Sequence, residues 1–70
     1  MSDWLPVKSS NVAAVRADPD RAELHVRFKD GSMYTYYSVP AGLADDLLAS
    51  DSPGRFIREN MNVYQYKRMG

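Results

Sequence analysis

The sequence predicts an α+β domain, a three-stranded antiparallel β-meander followed by two short α-helices packed on one of its faces. Three observations lead there. Leu24, Val26 and Phe28 alternate strictly with His25, Arg27 and Lys29, the period of a half-buried strand. Turn-forming clusters, Asp18-Pro19-Asp20-Arg21 and Asp30-Gly31, stand on either side of that run. Beyond Val39-Pro40 the apolar spacing changes to that of helices, with Leu43, Leu47 and Leu48, then Phe56, Ile57 and Met61.

The first strand is expected over 12–17, with Ala13, Val15 and Ala17 on one face. Pro19 pre-sets the φ angle of a turn, and a four-residue loop would set Val15 opposite Leu24 and Ala13 opposite Val26. The second strand covers 23–29 and the third 32–37. Between them a two-residue turn would place Tyr34 and Tyr36 beside His25 and Arg27. A three-residue loop over Lys29, Asp30 and Gly31 would pair Val26 with Tyr34 and Leu24 with Tyr36 instead. One residue of register exchanges the two faces. The second arrangement is preferred, because Gly31 suits a left-handed bulge position and two rings would enlarge a small core. Pro40 fits the first turn of a helix over 41–49, with Leu43, Leu47 and Leu48 as its apolar stripe. Ser52-Pro53 reads as N-cap and first residue of a helix over 53–61 that buries Phe56, Ile57 and Met61. The stretch 63–66 alternates and is expected to be extended along the sheet edge. Trp4, in the apolar start Trp4-Leu5-Pro6-Val7, is expected to be buried as a lid on the core or as a subunit contact.

The chain has 70 residues, enough for one domain, here 1–70 with its core at about 6–69. A domain this size buries only about 60% of its unfolded surface. With no cysteine it has no disulfide to reinforce it, so self-association would be one way to share the cost of order. Nine Lys and Arg balance nine Asp and Glu, which argues against a dedicated polyanion binder. The distribution is uneven: beyond Ser52 four bases, Arg55, Arg58, Lys67 and Arg68, face one acid, Glu59. There is no signal-peptide pattern and no apolar run of bilayer length, so a cytoplasmic location is expected.

The run of features resembles the KTSC domain family, named for its place at the C-terminus of some lysyl-tRNA synthetases and also found as a stand-alone bacterial or phage protein. The resemblance lies in Ser9-Ser10-Asn11-Val12 before the first strand, Asp18-Pro19, Leu24-x-Val26-x-Phe28, and Gly31 before Tyr34-x-Tyr36. It continues through Val39-Pro40 and Ser52-x-Gly54 to Tyr64-x-Tyr66, covering about residues 6–69. Ala17 and Arg58 depart from the pattern, which favours a bulkier residue and an uncharged polar one at those places. The resemblance implies the fold more than the function; an RNA-binding role is implied only by the synthetase setting.

The residues offer little to catalysis. The one histidine, His25, is expected to be an exposed strand residue, and a metal site would then need carboxylates alone. Asp45 and Asp46 point about 100° apart on a helix and read as solvated. Lys8-Ser9-Ser10 lacks the convergence of a nucleophile and its base. The glycines are too scattered for a phosphate loop. A non-enzymatic domain without cofactor or metal is therefore expected. The five tyrosines carry more, since four stand in two Tyr-x-Tyr pairs that would each put two rings side by side on a strand. Rings beside guanidinium groups form a platform for nucleobases. The expected function is a binding module for RNA or a nucleotide, with contacts from Arg27, Arg55, Arg58, Tyr64, Tyr66, Lys67 and Arg68, and additional aromatic surface from Tyr34 and Tyr36. Core packing is the competing reading of these rings, close helix packing that of Gly54 against an anion at the helix start. The alternative function is a protein-interaction or homo-oligomerisation module, including a phage-type sponge for a small nucleotide.

Overall fold

The structure, a computed structural model, describes residues 4–70. Among the described residues five strands, not three, form one antiparallel sheet in sequence order: β1 (Leu5–Pro6), β2 (Val12–Asp18), β3 (Glu23–Phe28), β4 (Met33–Tyr36) and β5 (Tyr66–Arg68). Helices α1 (Ala41–Ala49) and α2 (Pro53–Asn60) lie between β4 and β5 in the chain. The expected central meander is present, and the two extra strands are its edges. β1 is two residues long and contains Pro6, so it has no periodicity to read and suits only an edge. β5 begins at Tyr66, later than the alternation 63–66 suggests, because residues 61–64 form a turn closed by Tyr64 N–H donating to the Met61 carbonyl.

The loop after β2 is the expected length but starts one residue later. Asp18 pairs with Glu23, and Arg21 N–H returns to the Asp18 carbonyl across Pro19 and Asp20. Val15 consequently faces Val26 and Ala17 faces Leu24, a shift of two residues that leaves both apolar faces as expected. A bulge between Val12 and Ala14 moves Ala13 out of step, so Val12 fills the core position instead. The β3–β4 loop is the preferred three-residue form, with Leu24 opposite Tyr36, Val26 opposite Tyr34, and Gly31 at φ 94°. Asp30 locks it: Oδ1 accepts from Ser32 N–H at 2.9 Å and from Ser32 Oγ at 2.6 Å.

One face of the sheet carries the core. Val12, Val15, Leu24, Val26 and Tyr36 meet Val39 from the connection, Ala44 and Leu47 of α1, Ile57 of α2 and Met61 just beyond it. The stripe of α1 differs from expectation. Ala44 and Leu47 are buried, Leu43 is half-buried, and Leu48 is exposed, one position too far round the helix to reach the sheet. Phe56 is likewise only half-buried, and Pro40 is the N-cap of α1 with extended backbone rather than part of its first turn. Ser52 caps α2 by position without a side-chain bond to the helix. A side chain on Gly54 would approach Ser9 Oγ at 3.3 Å, and that hydroxyl already accepts from Asn11 N–H and Val12 N–H. The glycine thus lets the start of α2 meet the β1–β2 loop, not another helix.

The opposite face carries Ala14, Arg16, His25, Arg27, Met33, Thr35 and Lys67, placed together by the register. Trp4 lies over it, not over the core. The guanidinium carbon of Arg27 is 4.5 Å from the indole centroid and that of Arg16 5.8 Å, and the His25 ring meets it edge-on at 6.4 Å. Among the described residues no helix is long and apolar enough to cross a membrane.

Candidate functional site

On the helix-bearing face, toward the β4–β5 edge, a cleft of about 390 Å³ opens between Phe28, Asp30, Ser32, Tyr34, Tyr36, Asn62 and Tyr66. Strand register builds it. Phe28 and Tyr34 are held by the β3–β4 hairpin, and β5 lays Tyr66 opposite Tyr36 and Arg68 opposite Tyr34. The rings form a continuous array. Phe28 meets Tyr34 edge-on at 5.5 Å, and Tyr66 spans Tyr34 and Tyr36 with centroids 5.6 Å from each. Tyr36 is buried at the base and belongs to the core, Tyr34 is half-buried, and Tyr66 is 58% exposed. Polar groups stand at the hairpin end. Asp30 Oδ1 is taken up by Ser32, while Oδ2 has no protein partner among the described residues. The bonds from the Ser32 hydroxyl and then its N–H hold the Asp30 carboxyl below its ordinary value, with the charge of Arg68 acting in the same direction. Asn62 adds an amide that can both donate and accept.

Burial pushes the Tyr36 phenol above its ordinary pKa, and the neighbouring Tyr66 and Tyr34 phenols add to the shift. A proton held more tightly in the folded state means stability that is complete below the unfolded tyrosine value, about 10, and is lost as pH rises through the folded one. Thermal unfolding followed across the alkaline range should show Tm falling above about pH 10, and falling less steeply in Tyr36→Phe. Identical profiles for the two proteins would contradict this placement of Tyr36.

The residues expected to bind are brought together only in part. Tyr34, Tyr36 and Tyr66 line the cleft, and Arg68, opposite Tyr34 in β5, is on the same face of the sheet. Tyr64 does not pair with Tyr66 side by side; it precedes the strand and packs half-buried against the core. Arg27 lies on the opposite face against Trp4, and Lys67 is on that face opposite Thr35. Arg55 and Arg58 are exposed on α2, Arg55 bonded to Glu59 at 3.2 Å. Sequence reasoning missed Phe28, Asp30, Ser32 and Asn62 as lining. The Asp-x-Ser spacing of a side-chain-locked turn could have pointed to Asp30 and Ser32, whereas nothing local distinguishes Asn62.

His25 is not an exposed strand residue. Its Nδ1 is 2.8 Å from Thr35 Oγ1, its Nε2 is 3.6 Å from Glu23 Oε1, and the side chain is half-buried. Asp18, Glu23 and His25 bring one donor atom each to within 4.8 Å of one another, so carboxylates are not the only ligands a metal would find.

A family model for the KTSC domain matches residues 8–66. A protein of Tsukamurella paurometabola is 48% identical over 52 residues, which cover 74% of this chain and 78% of that protein. An uncharacterized protein of Stutzerimonas stutzeri is 31% identical over 63 residues, 90% of this chain and 89% of the other. The crystal structure of a KTSC domain protein from Yersinia pestis superposes with a TM-score of 0.91 at 26% identity, each chain covered completely.

Proposed function

The chain belongs to the KTSC domain family, and from that premise we propose that it is a non-catalytic binding module whose tyrosine cleft receives a nucleobase, presented by a free nucleotide or by single-stranded RNA. The observation that carries this reading is the exposed Tyr66 ring, backed by Tyr34 and Tyr36, at the mouth of a cleft of one-base size. A ring braced from behind loses little freedom when a second planar ring stacks on it, and such stacking contributes roughly 1–3 kcal/mol per base. The free oxygen of Asp30 accepts N–H donors of a base edge, and the amide of Asn62 supplies the complementary pair. Arg68, beside Tyr34 in the sheet, is the cation nearest in register for a phosphate. A volume of about 390 Å³ fits a mononucleotide or one splayed base and excludes a duplex. The balanced net charge also favours a small ligand over a long polyanion.

The oligomerisation reading rests on the two sheet edges, β1 and β5. Both carry features that discourage edge pairing, Pro6 on one and Lys67 with Arg68 on the other. A thermal-shift panel of mono-, di- and cyclic nucleotides and short RNA strands tests the binding reading. A ligand that binds only the native state raises Tm, and any contribution from extended RNA should weaken with added salt. A panel in which no compound moves Tm at millimolar concentration, joined to a concentration-dependent dimer by light scattering, would favour the oligomerisation reading instead.

A further inference from the structure

The loop end of the β2–β3 hairpin carries a cluster that the tyrosine cleft does not involve. Asp18 and Glu23 are paired residues at the base of the turn, and His25 lies two positions along β3 from Glu23, on the same face. Each offers a donor atom within 4.8 Å of the others, and His25 Nε2 and Glu23 Oε1 are 3.6 Å apart. That separation is close to the roughly 3.4 Å between ligands that both bind one ion at about 2.1 Å in tetrahedral geometry. The imidazole is also held from behind. Thr35, almost completely buried, places Oγ1 2.8 Å from Nδ1. In the tautomer whose Nδ1–H donates to that hydroxyl, the Nε2 lone pair faces the Glu23 carboxylate, and an ion between the two would be held by both. A second-sphere bond to the far nitrogen is also how metal-binding histidines are oriented.

The neighbouring cations leave the carboxylates largely uncommitted. Arg16, paired with His25 across the strands, turns its guanidinium toward Trp4 and makes no ion pair with Asp18 or Glu23 among the described residues. Arg21 reaches Asp18 only at 3.9 Å, from an exposed position. We propose that Asp18, Glu23 and His25 bind a divalent first-row transition ion of the zinc type, with Thr35 positioning the imidazole and water completing the coordination shell. One imidazole and two carboxylates suit such an ion better than calcium or magnesium, which prefer oxygen alone. In a domain without cysteine the ion would close the hairpin end and act as its staple.

The test is calorimetric titration of the tag-free protein with zinc chloride at pH 7, with proton NMR of the imidazole as a second readout. His25 is the only histidine, so any shifted ring resonance belongs to it. The wild type should bind one equivalent, shift the His25 ring signals and gain Tm. His25→Ala and Glu23→Gln should each weaken binding at least about 10-fold, and Thr35→Val by about 10-fold with the fold retained by circular dichroism. No zinc binding, binding that leaves the His25 resonances unmoved, or displacement by an equal concentration of calcium would each overturn the proposal.

Discussion

Leu24→Ala should leave the domain barely folded at 25 °C. Leu24 is completely buried between Ala17 and Tyr36 in the register and sits in the cluster that unites the sheet with both helices. Truncating a buried leucine costs about 2–5 kcal/mol, the transfer loss plus a cavity that tight neighbours cannot close. At about 0.05–0.15 kcal/mol per residue, a domain of this length has only about 4–10 kcal/mol to lose. Each kcal/mol moves Tm by roughly 4–8 °C in this size range, so a fall of about 8–40 °C is expected. The informative control is Leu48→Ala. Helical spacing alone makes Leu48 part of the same core, yet it is exposed, and its removal should change stability by less than about 0.5 kcal/mol. Equal losses in urea titrations of the two variants would contradict the observed rotation of α1.

That contrast shows where the sequence was legible. Residues with period two, such as Leu24, Val26 and Phe28, carry their face in the pattern, and turn chemistry at Asp30-Gly31 fixed the register of Tyr34 and Tyr36. Each depends on neighbours within a few positions. Leu43, Leu47 and Leu48 show the limit of that reasoning. Three apolar residues on a nine-residue helix define a stripe too broad to say which edge meets the sheet, and small Ala44 does so instead. β1 was not legible at all, because two residues with a proline pair through backbone geometry set elsewhere. The candidate site was read in part. Tyr66 and Arg68 were singled out with Tyr34 and Tyr36, but spacing could not tell that Tyr64 lies before the strand. Parity along β3 and β5 put Arg27 and Lys67 on the far face once the sheet was closed, and that closure is a long-range event. The convergence of Asp18, Glu23 and His25 needed the same information, because it depends on where the β2–β3 loop begins.

Tyr66→Ala should be the most damaging single change to ligand binding. Its ring is the exposed member of the array, so removing it deletes the stacking surface while sparing the core beneath. Loss of one stacking contact of roughly 1–3 kcal/mol corresponds to a fall in affinity of about 5- to 150-fold. Tyr66→Phe keeps the π-face and should stay within a few-fold of wild type. Arg68→Ala should weaken nucleotides and spare the free nucleoside, because it removes a phosphate partner rather than a base contact. Arg55→Ala, on α2 and engaged with Glu59, should leave affinity unchanged. These effects are read by titrating whichever nucleotide gives the largest thermal shift and following tyrosine fluorescence. Equal weakening by Arg55→Ala and Tyr66→Ala would place binding on α2 and away from the cleft.

The most direct measurement is a backbone amide NMR titration of the isotope-labelled protein with that nucleotide and with a short single-stranded RNA. Binding at the tyrosine cleft predicts that the perturbed amides cluster at Asp30, Ser32, Tyr34, Tyr36, Asn62 and Tyr66, with Arg68 added for phosphate-bearing ligands. Perturbations confined to the far face, around Arg16, Arg27 and Lys67, or no perturbation by any member of the panel, would contradict it.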